Sequence, residues 1–306
     1  MQSNFQEHTL NGGGPVGLSG TPVGLSTPSA RAGHGRVIRY PVDAISVAVV
    51  VGTLALQVTA YSLPLPWYAL FPILLGVRQL HLVEHNHAHL KIFRQTFLNE
   101  LLGWMCYVSN GCPLECYEMF HVHNHHRYLQ RFDSEAPDWS STFGFGGTRY
   151  PDKPVGRLYY MLTFAMLAWL HCMIEIIRRP GDALARRFMR SSVICLSVCG
   201  ALAYMRPWQF LIFFIIPWLV VYLGMASNNY DHHQDCKMTN AYDSANVDLR
   251  FPYRVFGFNI GYHVEHHIKP TLHWSLLPRY HRTLEPLIPA ENYVVAPRKE
   301  TSETTV

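Results

Sequence analysis

Five apolar segments interrupt an otherwise mixed chain: residues 44–62, 65–83, 158–177, 191–205 and 208–227. Residues 44–62 and 208–227 carry no charge, and each has the length at which a helix crosses the hydrocarbon core of a bilayer. The first two segments are joined by Leu63-Pro64-Leu65-Pro66-Trp67, and the last two by Arg206-Pro207-Trp208. Proline suits a turn or a first helical position, and tryptophan suits the membrane interface. The pattern predicts an all-α integral membrane protein with two transmembrane helical hairpins, four spans in all.

The polar remainder sets boundaries and orientation. Residues 1–40 are rich in Gly, Ser, Pro and Thr and read as a flexible N-terminal tail. No basic stretch with an apolar core follows Met1, so no signal peptide is expected. Residues 41–290 form the membrane domain, and residues 291–306 a polar C-terminal tail. Of the 25 Lys and Arg, only Arg206 falls in a hairpin turn. Arg31, Arg36, Arg39, Lys91, Arg94, Arg127, Arg131 and the run Arg178, Arg179, Arg186, Arg187 and Arg190 all lie on the other side. The excess of positive charge on cytoplasmic loops places both termini and the long polar segments in the cytoplasm. Segment 158–177 is apolar enough to span, but spanning would split the polar regions between two sides. With Tyr159, Tyr160, His171 and Glu175 it is expected to lie at the interface or to pack over the active site. Residues 96–110 are a second interfacial helix.

Composition removes other classes. A net charge of +4, with no basic run carrying interleaved aromatics, gives no footprint for nucleic acid. The seven cysteines form no CxxC pair, so neither a zinc ribbon nor a disulfide framework is indicated. Cys195 and Cys199 read as small residues on one helix face.

Histidine carries the chemistry. Most of the 18 histidines fall in four short regions at the cytoplasmic ends of apolar segments. These hold His81, His85, His87 and His89; His121, His123, His125 and His126; His232 and His233; and His263, His266 and His267. Residues i and i+4 share a helix face. His85 with His89, His121 with His125, and His263 with His267 are therefore each expected to point at one centre. A neighbour such as His126 or His266 points about 100° away and suits a second metal. Eight or nine imidazoles exceed the need of one tetrahedral zinc, and the absence of cysteine ligands argues against a structural zinc site. Imidazole alone does not select the metal. A lone histidine such as His171 is read as structural, and His8 and His34 carry no signal. Clustered imidazoles beside membrane segments are costly unless paired or metal-bound.

From about residue 44 to about 290 the chain resembles the membrane fatty acid desaturase superfamily, with its alkane hydroxylases, carotenoid ketolases and sphingolipid desaturases. The likeness rests on His85-xxx-His89 with Asn99 following, and on His121-xxx-His125-His126 followed by Asp133 and Asp138. It rests also on Asn229-xxx-His233, and on Asn259 to His263-xx-His266-His267 followed by Pro270. The resemblance implies a cytoplasmic, histidine-rich cap binding two Fe ions. Its ligands would be His85, His89, His121, His125, His126, His233, His263, His266 and His267. His81, His123 and His232 are alternatives, since His81 also forms HxxxH with His85. Asn229, Asp133 and Asp138 are candidates to hold imidazole tautomers, or else to cap helices and loops.

The activity so implied is O2-dependent oxidation of an unactivated C–H bond in a fatty acyl or lipid substrate, foremost desaturation. Hydroxylation or ketolation, and oxidative decarboxylation to a terminal alkene, are alternatives at the same centre. Phe120, Trp104, Trp169, Phe164 and Tyr262 either line an acyl channel or simply pack. No electron-carrying module is visible, so a separate donor of the ferredoxin, rubredoxin or cytochrome type is expected. Arg178 to Arg190 either docks it or contacts headgroups. A membrane metal-binding or transport protein is the rival from another class. It should carry ionisable groups deep in its spans, and residues 44–62 and 208–227 have none.

Overall fold

The computed structural model describes residues 37–63, 65–130, 138–143 and 155–295. Its helices are α1 (Ala44–Ser62), α2 (Leu70–His89), α3 (Thr96–Asn110) and α4 (Leu114–Tyr117), the last continuing through a π-helical stretch, Glu118–His125, into α5 (His126–Tyr128). There follow α6 (Arg157–Ile177), α7 (Ala183–Met205) and α8 (Pro207–Phe210), which runs through a second π-helical stretch, Leu211–Ile215, into α9 (Ile216–His233). Two short helices, α10 (His263–Ile268) and α11 (Leu277–Leu284), follow on the polar side. Among the described residues there is no strand, only isolated bridges between Ile38 and Phe93 and from Val247 to Tyr262 and Tyr293.

Four helical runs are long and apolar enough to cross a membrane: Pro41–Ser62, Arg157–Ile177, Ala183–Met205 and Pro207–His233. This set differs from the expected spans in one place. The second apolar segment forms α2, which runs on to His89 and so includes Arg78, Glu84 and four histidines. Its polar second half lowers its hydropathy below that of α6.

Both flanks of α6 are tied to elements that carry the histidines. Arg157, at its start, bonds Ser227 and Asp231 in the last turns of α9. Past its end, α7 opens with Arg187 paired to Glu118, which also pairs with Lys91, two residues beyond α2. Along its length α6 packs against the site. Trp169 packs against Tyr117, Phe120 and Tyr222.

Polar groups inside the apolar bundle tie helices together. Buried Gln57 of α1 donates to the carbonyls of Ser109 in α3 (2.9 Å) and Phe213 in the second π-helical stretch (3.0 Å). Interhelical hydrogen bonds of this kind substitute for the missing hydrophobic drive within a membrane. At the end of α3, Gly111 takes φ +76°, and a Cβ there would lie 2.6 Å from the Trp218 ring. Both the left-handed turn and the close indole require glycine.

Two expected boundaries move. Residues 37–40 do not belong to the tail: Arg39 N–H bonds Ile92 O, and Arg94 N–H bonds Val37 O. The start of the C-terminal tail is likewise structured, because Asn292 and Tyr293 are buried and strap onto Val247. Residues 1–36 and 296–306 lie outside the described residues.

Gly111→Ala combines a disfavoured backbone with a clash. It should destabilise the protein by about 1–3 kcal/mol from the backbone alone, seen as a lower unfolding temperature in detergent.

Candidate metal centre

The winding of each element decides which histidines meet. The last turns of α2 bring His85 and His89 onto one face, and α10 does the same for His263 and His267, with His266 turned aside. The second box behaves differently from the α-helical expectation. It lies in the π-helical stretch, where the His126 N–H bonds His121 O, an i to i+5 link. His121 and His126 therefore fall in register, and His125 points elsewhere. The expected pairing of His121 with His125 is corrected by this one extra residue per turn.

Two groups of donor nitrogens result. His85, His89, His121 and His266 form one, and His125, His233, His263 and His267 the other, with the donor atoms of each group within 4.8 Å of one another. His126 joins the first: its Nε2 is 3.2 Å from His121 Nε2 and 3.0 Å from His266 Nε2. His85 Nε2 is also 3.0 Å from His266 Nε2. Adjacent nitrogens around a metal at roughly 2.1 Å sit roughly 3 Å apart. The Nε2 atoms of His89, His125, His233, His263 and His267 are buried without a hydrogen-bond partner. An unpaired buried polar atom costs free energy, and a metal ion in each group would satisfy these, His89 in the first and the other four in the second. The donor set thus fits metal.

Of the alternatives, His123 is exposed. Buried His81 lies outside both groups, its ring 5.5 Å from Tyr117. His232 also lies outside them, stacked on His263 at 4.1 Å.

The other ring nitrogen of several histidines is held. His125 Nδ1 lies 2.9 Å from Asp138 Oδ2 and 2.8 Å from Ser140 Oγ, and the Ser140 hydroxyl donates to Asp138. Burial alone would raise the Asp138 pKa, but His125 and the hydrogen bonds from His125 and Ser140 hold it below its ordinary value. An ionised Asp138 fixes the proton on His125 Nδ1 and leaves Nε2 free to coordinate. His233 Nδ1 donates to Ser244 O at 3.0 Å, and His85 Nδ1 lies 3.2 Å from the Tyr117 hydroxyl.

Asn229 touches no imidazole. It donates to Ser140 O and to the Tyr160 hydroxyl, steadying the loop that carries Asp138. Asp133 lies outside the described residues. Sequence reasoning missed Ser140, Ser244, Tyr117 and the fully buried Glu265, which pairs with His281 of α11. Only Glu265, inside a histidine box, left a local signal.

Of the expected channel residues, Phe120 and Phe164 wall a small cavity of about 30 Å3, with Tyr117, Met225 and Ile260. The cavity touches His85 and His121 of one group and His263 of the other. Trp104 is directed away, donating to Ser191 of α7, and Tyr262 packs on His281. Both are corrected to packing roles.

The family model described as fatty acid desaturase matches residues 64–299. The chain belongs to the fatty acid desaturase family. It is therefore an oxidoreductase, and an integral membrane one. Among curated relatives it is 26% identical over 252 residues to the sn-1 oleoyl-lipid 12-desaturase of a Picosynechococcus species, covering 73% of this chain and 70% of that protein. The corresponding Synechocystis protein is 22% identical over 233 residues, covering 68% and 64%. An sn-1 acyl-lipid omega-3 desaturase (ferredoxin) of a Nostoc species is 22% identical, covering 65% and 61%. Family membership implies iron and oxidation of a lipid of the desaturation type.

Asp138→Ala should weaken metal retention about 10- to 100-fold, measured as iron lost to a chelator. Acid should act through the whole cluster. Burial first, and neighbouring imidazoles second, hold His121, His126, His263, His266 and His267 well below their ordinary pKa. The unfolded chain then binds more protons than the folded one. The stability linked to these groups is full above about pH 6.5 and is lost as pH falls below it. Metal content and thermal stability should fall together between about pH 6.5 and 5.

Proposed function

We propose that this protein carries out O2-dependent oxidation of an unactivated C–H bond of a fatty acyl lipid at two iron ions, most specifically desaturation. The observation that carries the reading is the pair of buried imidazole groups converging beside one apolar cavity. His85, His89, His121, His126 and His266 would hold one ion, and His125, His233, His263 and His267 the other. Bound iron would supply the activation of O2, the oxidant, which no amino-acid side chain can perform.

The chain's own residues do the rest. Phe120, Phe164, Met225 and Ile260 exclude water and hold a methylene segment against both imidazole groups. Asp138 and Ser244 keep the Nε2 lone pairs of His125 and His233 aimed inward. The buried Glu265–His281 pair fixes α10 against α11, and so orients three ligands together.

Electrons come from a separate carrier of the ferredoxin, rubredoxin or cytochrome type. The Nostoc relative is named for ferredoxin. The basic run is a poor docking surface for it. Arg178 and Arg179 pair with Glu175, Arg187 with Glu118, and Arg190 with Glu100. The excess of Lys and Arg on the histidine side supports a cytoplasmic site and cytoplasmic termini.

Purified full-length protein should contain iron near two per chain, and with O2 and a reductant should introduce a double bond, read by mass spectrometry of lipids and volatiles. His266→Ala should reduce turnover at least about 1,000-fold, whereas His123→Ala, on the exposed face, should leave it within about twofold. An alcohol or a terminal alkene as product would replace desaturation by one of the other outcomes. Full turnover by His266→Ala would overturn the ligand assignment.

A further inference from the structure

A cleft of about 390 Å3 lies outside the metal groups, bordered by the end of α9, the 246–253 segment and Glu291. Its charge is lopsided. Four carboxylates face it, those of Asp231, Asp235, Asp248 and Glu291, against two guanidinium groups, and Glu291 also pairs with Lys237 at 2.8 Å, which leaves one carboxylate in excess. Both guanidiniums are engaged: Arg157 by Asp231 and Ser227, and Arg250 by both oxygens of Asp248. Among the described residues Asp235 has no cationic partner and accepts only from Gln234.

A second, independent observation points to a ligand. His232 is 5% exposed, and its Nε2 has no hydrogen-bond partner. Its ring borders both the carboxylate-lined cleft and the cavity at the imidazole groups. The second cavity has Leu82, Phe120, Phe164, Met225 and Ile260 among its walls. An amphiphile lying across His232 would set its head among carboxylates and its chain against those apolar walls. The flanking segment exposes Phe251, Val255 and Phe256, with Val294 on the cleft wall itself. Exposed aromatic and aliphatic groups beside a polar cleft suit a mouth at the level where lipid heads meet acyl chains.

We propose that this cleft receives the polar end of the lipid substrate, that the acyl chain passes His232 to reach the cavity, and that the head taken is rich in hydrogen-bond donors and carries no net negative charge. Hydroxyl and ammonium groups share the chemistry of donating to carboxylates. A free carboxylate or a phosphate would face an excess of like charge. The proposal rests on the lipid-oxidising reading above and adds the class of head and the side of access.

The test uses the full chain with its iron, in nanodiscs of phosphatidylcholine, and four single-chain probes of equal chain length. Their heads are primary ammonium, glucoside, carboxylate and sulfate, and each probe is scored as an inhibitor of turnover and for direct binding. The ammonium and glucoside probes should bind at least about tenfold more tightly than the two anionic ones. Their ratio to each other decides whether charge or hydroxyl donation dominates. In the double variant Asp235→Asn with Glu291→Gln, the preference for ammonium over carboxylate should fall about tenfold while iron content stays unchanged. Asparagine suits position 235, where φ is +60°. A second measurement does not depend on the variant. A photoreactive group on the head should label residues 231–253, and one at the chain end should label α6 or the π-helical stretch of the second box. Equal binding of all four heads, an unaltered preference in the variant, or head labelling at residues 86–92 and 270–277 would overturn the proposal. Loss of iron or of all turnover in the unaltered protein would instead sink the reading on which it rests.

Discussion

The rest of this structure depends on a set of imidazoles drawn together out of water by segments far apart in the chain. A histidine removed from solvent loses its proton readily, and a neighbouring histidine makes protonation costlier still. The interior here therefore offers a set of lone pairs with nothing to donate to them. Five Nε2 atoms lack any partner, and the others face one another at about 3 Å. Such a cluster makes physical sense only around cations. The outer nitrogens confirm the direction of design. Asp138, Ser244 and Tyr117 occupy the Nδ1 side, so that Nε2 is the atom left to coordinate.

Holding that cluster requires elements from distant parts of the chain to end at one level. The ends of α2 and α9 arrive from the apolar bundle, and α10 closes from the polar side. Between them, α6 begins at Arg157 beside Asp231 and returns toward Arg187, so it floors the site. Polar links inside the bundle fix the depth of the helices. Gln57 binds α1 to α3 and to the π-helical stretch before α9, while Gly111 lets Trp218 pack directly on the end of α3. A shift of one helical turn in any of these would displace its ligands by about 5 Å, far beyond the tolerance of a metal site.

Reactive and recognising regions are separated within the same cap. The cavity at the metal groups is small and walled by Phe120, Phe164 and Ile260, fit for a methylene segment. The roomier cleft on the far side of His232 is lined by carboxylates. On the proposed reading, recognition of the polar head stands apart from the imidazole groups, and Phe120, Phe164 and Ile260 help keep water from them.

The sequence by itself determined the apolar segments and the histidine boxes, because hydropathy and i, i+4 spacing are local properties. It paired His85 with His89 and His263 with His267, and each pair falls within one group of donors, since α2 and α10 are regular where those residues lie. It could not place His121 and His126 together, because a π-helical stretch depends on what surrounds the helix and leaves no local mark. Hydropathy alone ranks α6 above α2 as a candidate span. The ties of α6 to the site join residues about 70 positions apart, Arg157 with Asp231 and Arg187 with Glu118. The parts played by Ser140 and Ser244, and the cleft beyond His232, were likewise decided only in three dimensions. Each is a contact between segments that the chain keeps far apart until it folds.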